Sequence, residues 1–290
     1  MGGFLIRHRG LIPYLLLAPG LAWLFIFYVV PGASMFASSF WSGSLEQGYV
    51  FSLSNIANYA AALERFQPQF LRSVLYGGAA TLLTFAISYP LAYAIAFRGG
   101  RYKNLLLFLV VAPFFTSFLL RTISWKIILG DSGILFGPLK DIGVLPQEFA
   151  ILQTPLAVIS GITYNFLPFM TLPIYVSLEK VDIRLVEAAQ DLYASRLGAF
   201  RRITLPLSLP GVFAGSLLTF IPAMGDYVNA ELLGNPNTTM IGNVIQNQFL
   251  TQNNYPTASA LSFLLMAGIL IAVGVYAKLL GTEELTSGGV

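Results

Sequence analysis

The sequence predicts an all-α polytopic membrane protein with six transmembrane helices, and three observations carry that prediction. Only 10% of the 290 residues are charged, 16 basic and 13 acidic, where soluble domains carry about a quarter. Hydrophobic residues make up 56%, and the mean hydropathy is +0.72. The few charges are bunched, leaving charge-free intervals at 10–45, 73–97, 104–120, 149–178, 203–225 and 232–277. A bilayer core about 30 Å thick needs roughly 20 apolar residues at 1.5 Å each, so each interval holds one span.

In order along the chain, the first span lies near 11–33. Arg7 and Arg9 precede it as they would a signal peptide. Its apolar run of about 20 residues exceeds a secretory core of roughly 7–15, and it lacks a clear small-x-small cleavage site, so it reads as retained. The interval 47–63 is rich in Ser, Asn and Gln and reads as loop. The second span falls near 70–97. The third, near 104–123, crosses only if Arg121 snorkels at its end. The fourth falls near 151–178 and the fifth near 207–225, the latter opening on the small-xxx-small pair Gly211 and Gly215 that suits close helix approach. The sixth lies near 257–279. Prolines recur in or beside these spans, among them Pro90, Pro113, Pro168, Pro173 and Pro210. Packed helices tolerate them because neighbours satisfy the freed carbonyls; they kink the spans or open a cavity between them. The whole chain, 1–290, is one transmembrane domain.

Orientation follows from Lys and Arg. With an inside N-terminus, the inside segments hold Arg7, Arg9, Arg98, Arg101, Lys103, Lys180, Arg184, Arg196, Arg201, Arg202 and Lys278. The outer segments and span ends hold Arg65, Arg72, Arg121, Lys126 and Lys140. This asymmetry puts both termini in the cytoplasm. It also accounts for the net charge of +3 without invoking nucleic acid.

Composition removes much chemistry. There is no cysteine and a single histidine, His8, so thiol catalysis, disulfides, iron–sulfur clusters and histidine metal sites are not available. The span interiors are nearly free of ionisable groups, which argues against a gradient-driven secondary transporter and against an intramembrane enzyme. Neither a selectivity filter nor a charged ring marks a channel.

The segment 179–206, between spans four and five, is the most charged of the chain. Leu185, Ala188, Ala189, Leu192 and Tyr193 recur at helical spacing on one stripe, with Arg184, Glu187, Gln190 and Asp191 off it. A second short helix follows with Leu197, Phe200 and Ile203 at three-residue steps, ended by Pro206. Two such amphipathic helices suit either the groove of a soluble partner or an anionic lipid surface.

Glu187, Ala188 and Ala189, followed by Ile203, Leu205 and Pro206, resemble the EAA loop of bacterial ABC importer permeases. The resemblance implies that 179–206 is a coupling loop inserted into a cleft on an ATP-hydrolysing subunit, with Glu187, Ala188, Ala189, Asp191, Leu192, Tyr193, Gly198 and Phe200 as contact residues. One position departs: the family usually has Gly where this chain has Tyr193. The expectation is a turn built differently, with Gly198 taking up the bend. The six-span layout and the stretch from Ala223 through Asp226, Tyr227 and Glu231 to Gly234, with the Asn/Gln-rich segment up to Tyr255, are similar to the spermidine/putrescine permease group. Permeases for sulfate, iron or opines share that fold and are alternatives.

No stretch fits G-x-x-x-x-G-K-[ST], so no phosphate-cradling loop is encoded. The resemblance therefore implies ATP and Mg on two separate ATP-binding subunits, a second homologous permease, an extracytoplasmic substrate-binding protein and a bacterial cell membrane. It implies no cofactor, metal or catalytic residue in this chain. Candidate pathway groups are Asp226 and Glu231 after the fifth span, with ring faces from Trp125, Tyr164, Phe166 and Tyr227 for an ammonium group. An outer surface of net negative charge favours a cation. For Asp226 and Glu231 the alternative is a solvated loop, and for each ring it is packing.

Overall fold

The structure is a computed structural model, and it describes residues 12–44, 46 and 48–280. Arg7, His8 and Arg9, the start of the first span at residue 11 and the tail beyond 280 lie outside the described residues. The chain divides into two compact units, one of residues 1–65 with 247–264, the other of 66–246 with 265–290. Five helices are long and apolar enough to cross a membrane, and a sixth span is a bent helix pair.

In the first unit, α1 (Ile12–Leu24), a π turn (Phe25–Val29) and α2 (Val30–Ser38) form the first span. Tyr14, Leu16, Trp23, Phe27 and Tyr28 along it are exposed, a surface for lipid. An antiparallel hairpin of β1 (Trp41–Ser44) and β2 (Gly48–Phe51) then departs from the all-helical expectation. Its end is made by glycine: Gly43 has φ +110° and Gly48 φ +80°, and a Cβ on Gly43 would lie 2.2 Å from the Gly48 carbonyl oxygen. Trp41 stacks on Tyr49 at 5.3 Å and Tyr49 meets Tyr255 edge-on at 5.8 Å. The Asn58 amide donates to the Ser39 and Trp41 carbonyls.

Helix α3 (Ala57–Arg98) starts 13 residues before the predicted second span. Ala60, Ala61, Ala62 and Leu63 are strong helix formers, but Glu64 and Arg65 hide them from a search for charge-free intervals. The helix breaks at Phe66 (φ −115°, ψ 16°), two residues ahead of Pro68.

The third span is not the straight helix expected at 104–123. Helix α4 (Lys103–Val111) tightens into a 3-10 turn over Ala112–Phe115. Thr116 and Ser117 are extended, and α5 (Phe118–Ile128) leaves at a bend of 98°. Pro113 starts the break by removing an N–H from the ladder. Arg121 accordingly does not snorkel: it is buried on α5, with its guanidinium 4.5 Å from the Phe114 ring centroid and 5.7 Å from that of Phe118.

After the short α6 (Phe136–Asp141) come α7 (Pro155–Glu179), the fourth span, and α8 (Ile183–Asp191). Helix α9 (Arg196–Ala199), a π turn (Phe200–Thr204) and α10 (Leu205–Met224) run on without a break, so the second loop helix is the first part of the fifth span. Pro206 therefore does not end it. It sits in the first turn of α10, where a missing N–H is tolerated, behind a widened turn that relaxes the ladder. Helices α11 (Val228–Leu233), α12 (Ile241–Gln246) and α13 (Tyr255–Leu280, the sixth span) complete the chain.

The second unit is built on the crossing of α7 and α10. A Cβ on Gly211 would lie 2.4 Å from the Pro173 carbonyl oxygen, and one on Gly215 2.9 Å from Met170 Sδ, so the predicted glycine pair does seat one helix on the other. Two apolar clusters flank this crossing. Ile162, Phe166, Ala223 and Leu233 fill one; Tyr89, Ile95, Met170, Ile174 and Leu178 fill the other.

Candidate functional site

The loop between the fourth and fifth spans is built from its caps inward. The Asp182 side chain accepts from the Arg184 amide at 2.9 Å and starts α8. At the other end the Tyr193 amide donates to the Gln190 carbonyl at 2.9 Å and the Ala194 amide to the Ala189 carbonyl at 3.0 Å. That pair of bonds is a Schellman cap, whose penultimate position needs a left-handed residue. Tyr193 holds that position itself, with φ +62°. Gly198 does not take up the bend, contrary to expectation: it lies inside α9, where its amide donates to the Ser195 capping hydroxyl at 3.1 Å.

The predicted stripe does form one side of α8, and it packs on nothing within its own unit. Leu185 is half exposed, Leu192 is 81% exposed and Tyr193 98%. Glu187, Ala188 and Asp191 are exposed beside them, with Ala189 partly covered. Phe200 turns the other way. Its ring lies 5.7 Å from Tyr89 and 6.1 Å from Tyr93, both on α3, so it fastens the loop to the bundle.

Beyond the end of α10, Asp226 is 7% exposed and caps α11. Its two carboxylate oxygens accept from the Asn229 backbone amide at 2.8 Å and from Asn229 Nδ2 at 2.7 Å. Asn229 Oδ1 in turn accepts from Asn165 Nδ2 at 3.1 Å and lies 3.3 Å from the Thr122 hydroxyl. Asn165 Nδ2 also donates to Thr122 at 3.1 Å. This buried polar chain ties α5, α7 and α11 together, and Gly161 allows it: a Cβ there would lie 2.3 Å from Leu233 and 2.8 Å from Asn229 Oδ1. Burial pushes the Asp226 carboxyl up to about 6, opposed by the bonds from Asn229 and from the Val228 amide.

The other pathway candidates are placed apart. Glu231 is exposed, its Oε2 accepting from Asn243 Nδ2 at 3.2 Å. Tyr227 is 43% exposed. Trp125 and Tyr164 stack on each other at 5.1 Å and 2°, with Trp125 Nε1 donating to Ser160; only their outer faces remain open. Phe166 is core, packed near Phe118 and Phe169. Sequence reasoning missed Thr122, Asn165 and Asn229. The signal available was an asparagine at the middle of the charge-free interval 149–178, a costly residue to bury without partners.

Apolar spanning helices, one of them broken, around a buried polar chain, with an exposed capped loop between two late spans, make this a multi-pass membrane permease. The sequence profile of the family described as binding-protein-dependent transport system inner membrane component matches residues 10–280, and the chain belongs to that family of transport subunits. It is 40% identical over 256 residues to the spermidine/putrescine transport system permease protein PotB of Haemophilus influenzae, covering 88% of this chain and 89% of that one. Against PotB of Escherichia coli the identity is 37%, covering 87% and 92%. Among solved structures, a bacterial ABC transporter involved in the import of the acidic polysaccharide alginate shares the fold, with a TM-score of 0.76 at 20% identity over 96% of this chain and 97% of that one.

Proposed function

We propose that this chain is the membrane-spanning permease of an ATP-driven importer of polyamines such as spermidine and putrescine. The observation that carries the reading is the 40% identity to a spermidine/putrescine permease across nearly nine-tenths of both chains. The assembly comprises a second homologous permease, two ATP-binding subunits that hold ATP and Mg, and an extracytoplasmic substrate-binding protein. The family's description as binding-protein-dependent supports the last of these, as does the related alginate transporter in complex with its periplasmic protein. The excess of Lys and Arg in alternate segments supports cytoplasmic N- and C-termini, which leaves 179–206 on the cytoplasmic side.

In this reading Glu187, Ala188, Ala189, Asp191, Leu192 and Tyr193 meet the ATPase, while Gly198 and Phe200 brace them from behind. The pathway runs between the two permeases and opens alternately to either side as the ATPases close and part. Cargo is drawn to the outer end by exposed Glu231, with Tyr227 and the open faces of the Trp125–Tyr164 pair available to an ammonium group. Asp226 acts one step back, setting the position of α11 through Asn229.

Transport by the whole complex in reconstituted vesicles tests both halves. Spermidine or putrescine uptake in preference to sulfate is expected; sulfate uptake without polyamine uptake removes the cargo assignment. A Glu187→Gln variant is expected to hydrolyse ATP while losing at least tenfold in uptake, and unchanged uptake refutes the coupling role.

A further inference from the structure

We infer that Tyr193 is the aromatic anchor by which this chain grips its ATP-hydrolysing partner, an inference that rests on the coupling role proposed above. The cap that ends α8 is made by backbone bonds, from the Tyr193 amide to Gln190 and from the Ala194 amide to Ala189. Glycine would make the same two bonds with no steric conflict at φ +62°. An L side chain there disfavours the turn by about tenfold. Nothing inside the permease offsets that penalty, since the ring is 98% exposed and the adjacent Leu192 81%. A strained, rigid aromatic side chain held out into solvent is explained when it fills a pocket elsewhere, and tyrosine is among the residues on which interface affinity concentrates.

The charge around it selects the occupant. Residues 182–193 carry Asp182, Glu187 and Asp191 against Arg184 alone, a net of −2. An acidic surface is repelled by the anionic inner leaflet of a membrane. It suits a protein cleft with an apolar slot for the ring and a basic rim. The loop is also braced for contact: the Ser195 cap and the Phe200 ring packed on Tyr89 and Tyr93 fix the direction in which Tyr193 points. The partner is thus a subunit whose cleft accepts a full ring, distinct from one shaped for a glycine turn.

The test uses the full permease pair in nanodiscs and measures the affinity of the purified ATPase subunit for Tyr193→Phe, Tyr193→Ala and Tyr193→Gly. Phe keeps affinity within about threefold, whereas Ala and Gly each lose at least tenfold. Gly relieves the strain yet still binds weakly, which separates ring contact from loop folding. Affinity within twofold of the parent for both Ala and Gly overturns the inference, as does an equal loss in Phe. Quenching of the Tyr193 environment by brominated lipid in the absence of ATPase places the ring in the bilayer and also overturns it. If a Glu187→Gln, Asp191→Asn variant and the Tyr193 variants all bind as the parent does, it is the coupling reading itself that fails.

Discussion

A single methyl group at Gly211 is expected to pry the two central helices apart. A Cβ at that position would lie 2.4 Å from the Pro173 carbonyl oxygen, 2.5 Å from Ser177 Oγ and 2.7 Å from Ser177 Cβ. The first of these is backbone and cannot swing away. Restoring ordinary contact requires α10 to retreat by about 1 Å, and a gap of that size forfeits roughly a quarter to a half of each dispersion contact along the crossing. Overpacking of this kind costs about 1–3 kcal/mol, and the gain in helix propensity from Gly to Ala returns about 1 kcal/mol. Gly211→Ala is therefore expected to destabilise by about 1–2 kcal/mol, or a few degrees in unfolding midpoint. Gly78 supplies the control. It lies in α3 with nothing within 4 Å of its Cβ position, so Gly78→Ala is expected to be neutral or stabilising by about 0.5–1 kcal/mol. The assay is thermal unfolding of the purified complex in one detergent. A Gly211→Ala complex as stable as the parent, or a Gly78→Ala complex that falls equally far, refutes the packing account.

Three further outcomes follow from the buried polar groups. The Asp226 carboxyl, pushed from an ordinary 3.8 up to about 6, holds its proton more tightly folded than unfolded; its contribution is full below pH 3.8 and is lost as pH rises through about 6. The loss is about 3 kcal/mol, and a stability profile from pH 4 to 7 is expected to flatten in Asp226→Asn. Asn229→Ala strands the Asp226 carboxylate together with Asn165 and Thr122 and is expected to cost about 2–3 kcal/mol in chemical unfolding. Arg121, by contrast, has a buried Nε with no hydrogen bond and no ion pair among the described residues. Arg121→Met is expected to leave stability unchanged or raise it by about 1–3 kcal/mol; a fall in unfolding midpoint would show that the charge has a partner.

Charge spacing made the straight spans legible because a helix in lipid tolerates almost no ionised side chain along about 30 Å. The fourth, fifth and sixth spans, at Pro155–Glu179, Leu205–Met224 and Tyr255–Leu280, lie within a few residues of expectation. The same criterion is blind to direction, so the 98° bend after Pro113 was hidden inside one apolar interval. It is blind also to uncharged polarity, which is why Asn165 and Asn229 escaped while Asp226 at the end of their chain did not. The loop helix was legible from its stripe and its Glu-Ala-Ala signature. Its cap was not, because a left-handed tyrosine breaks the local rule that glycine satisfies. The hairpin at 41–51 depends on two glycines whose positive φ no periodicity reveals.

The unbroken run from Arg196 to Met224 is 29 residues long, a rod of about 43 Å. One end is exposed beside the loop cap, and the other stops two residues short of Asp226. A tilt of about 5° at the loop end would sweep the far end through roughly 4 Å over that length, more than the length of any hydrogen bond in the Asp226–Asn229–Asn165 chain. The fifth span is thereby a lever, with the Gly211–Gly215 crossing as its fulcrum: a small displacement at the cytoplasmic loop is enough to make or break the polar clasp at the opposite end.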